Sequence, residues 1–334
     1  MELPYEKQLK EYPSFFMEQD NSFQALTHPG EASNFFDIAD LTLFDPHSKT
    51  SYSRTNALWL AEFCRLIYRQ ENDEMHQPRP AGFVSRNQFL SAKGWREETF
   101  FNRGGTQAGL FVNDQLNCGA LVFRGTLGLK DVMTDLECLP TLPEGGGYVH
   151  NGFKRALDAV WDDGIKPALR KLDFPLFFTG HSLGAALATL AAARCILDPD
   201  LKNSRPEALY TFGSPRVGDK AFGAALQGLF HCRLVNDKDI ITTVPPVMLV
   251  GGIATFQHVG QLHHLEPEGN LHIFPPDEDG FETRCPLRGP IKILALLKWL
   301  LARVLAIRIE PPKPLRDHTP VNYTARLEKA TSGN

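Results

Sequence analysis

Ser182 stands between two glycines in Gly180-His181-Ser182-Leu183-Gly184, after the apolar run Pro175-Leu176-Phe177-Phe178-Thr179 and before an alanine-rich stretch from Ala185 to Ala193. That spacing suits a nucleophile elbow, a tight strand-to-helix turn that lifts a serine Oγ clear of a sheet. Glycines two positions to either side leave room for a strained backbone at the serine. The turn also aims the first N–H groups of the following helix, Leu183 among them, at the space where negative charge gathers during acyl transfer. A bare G-x-S-x-G arises by chance on the order of 0.1 times in a chain of this length. The flanking strand-length and helix-length segments give it its weight.

A serine hydroxyl is a weak nucleophile until a histidine takes its proton, and that histidine needs a carboxylate to fix its tautomer. In chains with such an elbow the acid and then the base follow the serine. Three acids sit at strand ends after Ser182: Asp219, behind the turn-rich Gly213-Ser214-Pro215-Arg216-Val217-Gly218, and Asp237 and Asp239, directly behind Arg233-Leu234-Val235. Position favours the latter two without separating them. For the base, His318 in Leu315-Arg316-Asp317-His318-Thr319-Pro320 lies on a loop beyond the last strands, free to reach back, while His258, His263, His264 and His272 are the alternatives. Those four fit no common metal-ligand spacing, so no metal is expected. A second oxyanion donor is sought in an earlier strand-end loop, where Val122-Phe123-Arg124-Gly125-Thr126 offers the N–H and hydroxyl of Thr126.

The elements that must hold these groups are legible in outline. Residues 56–69 (NALWLAEFCRLIYR) have helical spacing, and residues 106–112 and 118–123 read as strands joined by a hairpin at Asn113-Asp114-Gln115. A helix over residues 153–172 precedes the elbow strand. Further strands are expected at residues 208–212 and 232–235, then a hairpin over residues 256–274 turning at Glu266-Pro267-Glu268-Gly269-Asn270. Strands alternating with helices predict a mainly parallel sheet covered on both faces.

With 334 residues, 43% hydrophobic and 22% charged, the composition is that of an ordinary globular α/β chain. A net charge of −4 with scattered basic residues argues against a nucleic-acid partner. Six cysteines without C-x-x-C spacing suit reduced thiols. The polar, acidic start, Met1-Glu2-Leu3-Pro4-Tyr5-Glu6-Lys7, lacks the pattern of a secretory signal, which predicts a cytoplasmic location.

Taken in order, these segments resemble the class 3 lipases, the fungal-lipase-like branch of the α/β-hydrolases. Phe123-Arg124-Gly125-Thr126 matches F-R-G-[ST], and Val149-His150-Asn151-Gly152-Phe153 matches V-H-x-G-F. Residues 179–192 (TGHSLGAALATLAA) match the nucleophile signature, and residues 210–219 (YTFGSPRVGD) the strand and loop after it. The resemblance implies Ser182 as nucleophile, Leu183 and Thr126 as oxyanion donors, and a structural role for Asp219. Asn236-Asp237-Lys238-Asp239-Ile240-Ile241 fits the acid motif so as to select Asp239, and Asp317-His318 with Tyr323 fits D-H-x-x-x-x-Y and selects His318. The match runs over about residues 55–330 and departs from the pattern twice: Thr242 and Thr243 delay the proline usual after the acid, and an apolar insertion precedes His318.

The implied fold is a single α/β-hydrolase domain over residues 55–334 with residues 1–54 as an arm packed on it. The implied activity is hydrolysis of lipid esters without a cofactor, on triacylglycerol-like substrates, with phospholipase A1-type or short-chain esterase activity as alternatives. A catalytically silent lipid-binding protein is the rival outside enzymes. Residues 127–139 (LGLKDVMTDLECL) occupy the place of the family's lid and form an amphipathic pattern. Residues 290–310 (PIKILALLKWLLARVLAIRIE) are the most apolar stretch, yet Lys298 and Arg303 at its centre argue against a membrane span. An interfacial helix touching a lipid surface, a helix beside the acyl groove and a core helix are its readings. Oligomeric state is not legible.

Overall fold

The computed structural model describes residues 28–71, 82–125, 140–141, 146–245, 249–250, 253–254, 256–274 and 312–332. Thr126, the lid segment 127–139 and the apolar segment 290–310 lie outside the described residues, as do residues 1–27.

Among the described residues nine strands form one sheet, and they lie across it in the order in which they occur in the chain. They are β1 Arg96–Arg103, β2 Thr106–Asn113, β3 Cys118–Phe123, β4 Leu176–His181, β5 Pro206–Phe212, β6 Phe230–Asn236, β7 Gln261–Leu265, β8 Asn270–Ile273 and β9 Thr331–Ser332. Pairing is antiparallel from β1 to β3, parallel from β3 through β7, antiparallel between β7 and β8, and parallel again at β9. The parallel middle is the α/β-hydrolase arrangement expected from the sequence. It brings the ends of β3, β4, β5 and β6 to one edge, where the candidate residues lie.

Alternation along the strands divides the interior into two cores. Phe177 of β4 points into one and Leu176 and Phe178 into the other. The first core is covered by α1 (Arg54–Leu66) and by Phe35, Phe36 and Phe44 of the preceding segment, and Phe44 meets Phe177 edge-on at 4.8 Å. The second is covered by α2 (Asn151–Val160) and by α3 (Leu183–Leu197), which leaves the elbow. Ala185, Ala186, Ala188, Ala191 and Ala192 of α3 are fully buried, and their small side chains let the helix lie close on the sheet. A final helix, α4 (Pro320–Lys329), joins α1 on the first face with Tyr323 and Leu327 buried.

Three elements differ from the expectation. The helix read over residues 153–172 is α2, then a π turn at Trp161–Ile165, then a short turn at Lys166–Leu169. Gly164 lies within the π turn, and Pro167 has no N–H to donate to the helix, so hydrogen bonding shifts register there. Strand β1 (REETFFNR) carries too many charges to read as a strand, because it is a sheet edge whose Arg96 pairs with Asp114 and Glu98. In the late hairpin only residues 261–265 and 270–273 are paired as strands, and residues 256–260 approach along Gly218 instead.

Candidate active site

The elbow is built by contact. A Cβ on Gly180 would lie 2.2 Å from the Gly184 carbonyl carbon, and one on Gly184 would lie 2.2 Å from the Phe123 carbonyl oxygen. Neither position tolerates a side chain. Ser182 between them has φ +59° and ψ −128°, a conformation that is costly for a residue with a Cβ. It is held there by its N–H, which donates to the Phe212 carbonyl at 2.9 Å, and by its own carbonyl, which accepts from Ala185 at 3.0 Å. Leu183 opens α3, so its N–H belongs to the first turn of donors that a helix leaves without an internal acceptor.

Gly125 brings the end of the β3 segment onto the serine. A Cβ there would be 3.2 Å from the Ser182 Cβ, so the backbone leading into Thr126 passes directly over the elbow.

The two acids behind β6 are separated by the structure where spacing left them equal. Asp237, at φ +42°, pairs with Lys313. Asp239 is fully buried and turns inward. Its Oδ1 accepts from the Ile241 N–H at 2.9 Å, and its Oδ2 accepts from His318 Nδ1 at 2.8 Å and from the Tyr323 hydroxyl at 2.6 Å. A carboxylate can only accept, so Nδ1 of His318 carries the proton and Nε2 carries the lone pair. That is the tautomer a general base requires. The residues that delay the proline form a 3₁₀ turn, Ile241–Thr243, in which the Thr242 hydroxyl donates to the Asp239 carbonyl at 2.8 Å. The extra length is absorbed after the aspartate, which stays in reach of His318.

Burial foremost, and then the adjacent Asp239, push the Tyr323 hydroxyl well above its ordinary value, so it remains a donor to the carboxylate. The same oxygen accepts the Asn236 N–H at 3.1 Å. Gly213, at φ +59°, completes the packing, since a Cβ there would be 2.6 Å from Asp239 Oδ2 and 2.9 Å from His318 Nδ1. His318 is 3% exposed and its ring lies 4.5 Å from that of His181, the residue before the serine.

Other candidates go elsewhere. Asp219 caps the short helix Lys220–Ala224 by accepting from Phe222 at 2.8 Å. His258, His263 and His264 each contact a backbone carbonyl, those of Thr242, Gln261 and Asp237, and His272 meets Glu266 at 3.1 Å. Among the described residues no group of histidine, cysteine, aspartate or glutamate side chains is placed to hold a metal ion. Sequence reasoning gave no role to Tyr68 or His181, which are hydrogen-bonded to each other, while His181 also meets the His318 carbonyl. The position before the serine was a signal for His181; for Tyr68, 113 residues from its partner, there was none.

A strained serine at a helix N-terminus, beside a histidine whose free nitrogen is set by a buried carboxylate, is suited to acyl transfer. Residues 120–249 match the family model for lipase (class 3). A lipase of Rhizomucor miehei is 32% identical over 255 residues, which make up 72% of this chain and 62% of that protein. Phospholipase A(1) DAD1, chloroplastic, of Arabidopsis thaliana is 47% identical over 151 residues, 38% of this chain and 33% of that protein. Among solved structures, the Rhizomucor miehei triacylglyceride lipase superposes with a TM-score of 0.47 at 27% identity, covering 52% of this chain and 68% of that one. The chain thus spans less than two thirds of the length of the curated relatives it matches.

Proposed function

We propose that the chain is a class 3 lipase, resting on the family-model match over residues 120–249, and that it hydrolyses carboxylic esters of lipids through an acyl-serine intermediate. The observation that carries this reading is the buried Asp239–His318 hydrogen bond beside the strained Ser182 turn. In the proposed reaction Ser182 Oγ attacks the ester carbonyl while His318 Nε2 takes its proton. The N–H groups of Leu183 and Thr126 receive the oxyanion. The tetrahedral intermediate expels the alcohol, which leaves with the proton from His318. Water, deprotonated by the same nitrogen, then releases the carboxylic acid and restores the serine. Asp239 stabilises the imidazolium formed in each half. No step needs a metal or a redox group.

Triacylglycerol-like esters are the first substrate reading. A phospholipase A1-type activity is the second, favoured by the 47% identity to a protein of that name. Contact with a lipid surface through residues 127–139 or 290–310 belongs to the same proposal, supported by their amphipathic and apolar sequences.

Hydrolysis of p-nitrophenyl esters of graded acyl length, beside triacylglycerol and phosphatidylcholine, tests the activity and ranks the substrates. Ser182→Ala is expected to lower kcat by about 10⁴-fold or more with the fold retained. Turnover that survives this substitution overturns the mechanism. A rate that fails to rise as substrate passes from monomer to emulsion removes the surface-contact reading.

A further inference from the structure

His181 and Tyr68 are buried beside the candidate triad, and the reaction outlined above makes no use of either. Their hydrogen bonds have a direction that can be worked out. The His318 carbonyl lies 2.6 Å from His181 Nε2, and a carbonyl only accepts, so Nε2 carries the proton. His181 Nδ1 is then an acceptor, and the Tyr68 hydroxyl 3.2 Å away is its donor. The Tyr68 oxygen in turn lies against Gly125, the residue before Thr126, where a Cβ would come within 2.2 Å of it. One chain of contacts, its last two links hydrogen bonds, therefore runs from the turn after β3, through Tyr68 and His181, to the backbone of the residue that carries the base.

We propose that Tyr68 and His181 are positioning residues that tie the His318 backbone to the turn after β3, so that the base and the oxyanion-binding turn keep one geometry about Ser182. The inference rests on the ester-hydrolase reading for its kinetic consequence, while the tie itself is a property of the resting protein.

Geometry leaves little slack in this link. A Cβ on Gly125 would be 2.2 Å from the Tyr68 oxygen and 2.6 Å from the His181 carbonyl oxygen, so turn, phenol and elbow are in mutual contact. The guanidinium of Arg124 lies 5.5 Å from the Tyr68 ring centre and fixes the ring from the side of the same turn. Burial first, and then the neighbouring His318, hold His181 well below the ordinary histidine value. A neutral His181 is what the reaction needs, because a second imidazolium stacked 4.5 Å from His318 would oppose the charge His318 must accept.

The test combines kinetics with histidine ¹⁵N NMR of the intact chain. Tyr68→Phe keeps the ring and removes only the hydroxyl, and it is expected to lower kcat by about tenfold with KM within about twofold. His181→Leu is expected to lower kcat by about 10²-fold, and His181→Gln, whose amide N–H can reach the His318 carbonyl, to recover most of that loss. A destabilised but otherwise unaltered site would not show rescue by Gln or a change confined to kcat. In the wild-type chain His181 should resonate as the Nε2–H tautomer, with its Nδ1 signal shifting in Tyr68→Phe. An unchanged kcat in Tyr68→Phe, equal losses in the Leu and Gln variants, or an Nδ1–H tautomer at His181 each overturns the proposal. Absence of any ester turnover in the wild-type chain would instead overturn the hydrolase reading, and the tautomer would still decide whether the tie exists.

Discussion

At the scale of single residues, the Tyr323 hydroxyl accepts from the Asn236 N–H and donates to Asp239 Oδ2, so it closes two accounts within the core. Tyr323→Phe leaves a buried donor without an acceptor, a loss of about 1–3 kcal/mol in denaturant unfolding. It also frees the carboxylate to rotate, for which a fall in kcat of about tenfold at constant KM is the expected reading. Gly213→Ala sets a methyl group against both Asp239 and His318 at a positive φ, and a steady-state assay should find kcat reduced by about 10²-fold. A Gly213→Ala variant with wild-type kcat would mean that the two side chains have room to spare. The nucleophile was readable because its turn demands glycines at fixed offsets. The choice between Asp237 and Asp239 was not, since both follow β6 and only the partners, Lys313 for one and His318 for the other, distinguish them.

Among the elements, α1 carries a buried ion pair that holds the preceding segment. Glu62 and Arg65 are 2.7 Å apart and essentially inaccessible, the Phe36 N–H donates to Glu62, and Arg65 reaches the Asn34 side chain. Glu62→Leu takes the countercharge from a buried guanidinium, and unfolding measurements should register a loss of about 3–5 kcal/mol, with proteolytic cuts appearing between residues 28 and 53. Replacing Arg65 by Met in the same chain should restore part of the loss; if the double variant is as unstable as the single one, the cost lies in packing and not in charge. Such a pair cannot be inferred from spacing alone, because its third partner comes from an irregular segment. Strands β2 to β6, by contrast, were legible as apolar runs, since strands in the middle of a sheet covered on both faces bury the side chains of both. Edge strand β1 and helix α4 escaped notice, the first for its charges and the second because the polar residues Asn322, Thr324, Arg326 and Glu328 are buried along it and break its apolar pattern.

For the molecule as a whole, buried neutral histidines set an acid limit. Burial, followed by Arg233, pushes His231 down to about 3, and burial, opposed by the hydrogen bond to the Gln261 carbonyl and aided by Arg233, leaves His263 at about 4, against 6.5 for an ordinary histidine. Above pH 6.5 neither the folded nor the unfolded chain binds these protons, and the full stability is present. Below it the unfolded chain takes them up first, so stability falls between about pH 6.5 and 4 by up to about 1.4 kcal/mol per pH unit for each histidine. Urea titrations across that range should show the slope, and His231→Gln should make it shallower; an equal slope in the variant would mean that His231 titrates normally when folded. The same molecule imposes an order on its own making. Arg54 at the head of α1 donates to the carbonyls of Leu327 and Glu328 at the tail of α4, 273 and 274 residues later. On a ribosome adding about 5–20 residues per second, α1 waits on the order of tens of seconds for this partner. Ser182 is made 136 residues before His318, so for about half of that interval a nascent chain carries the elbow without the base that would use it.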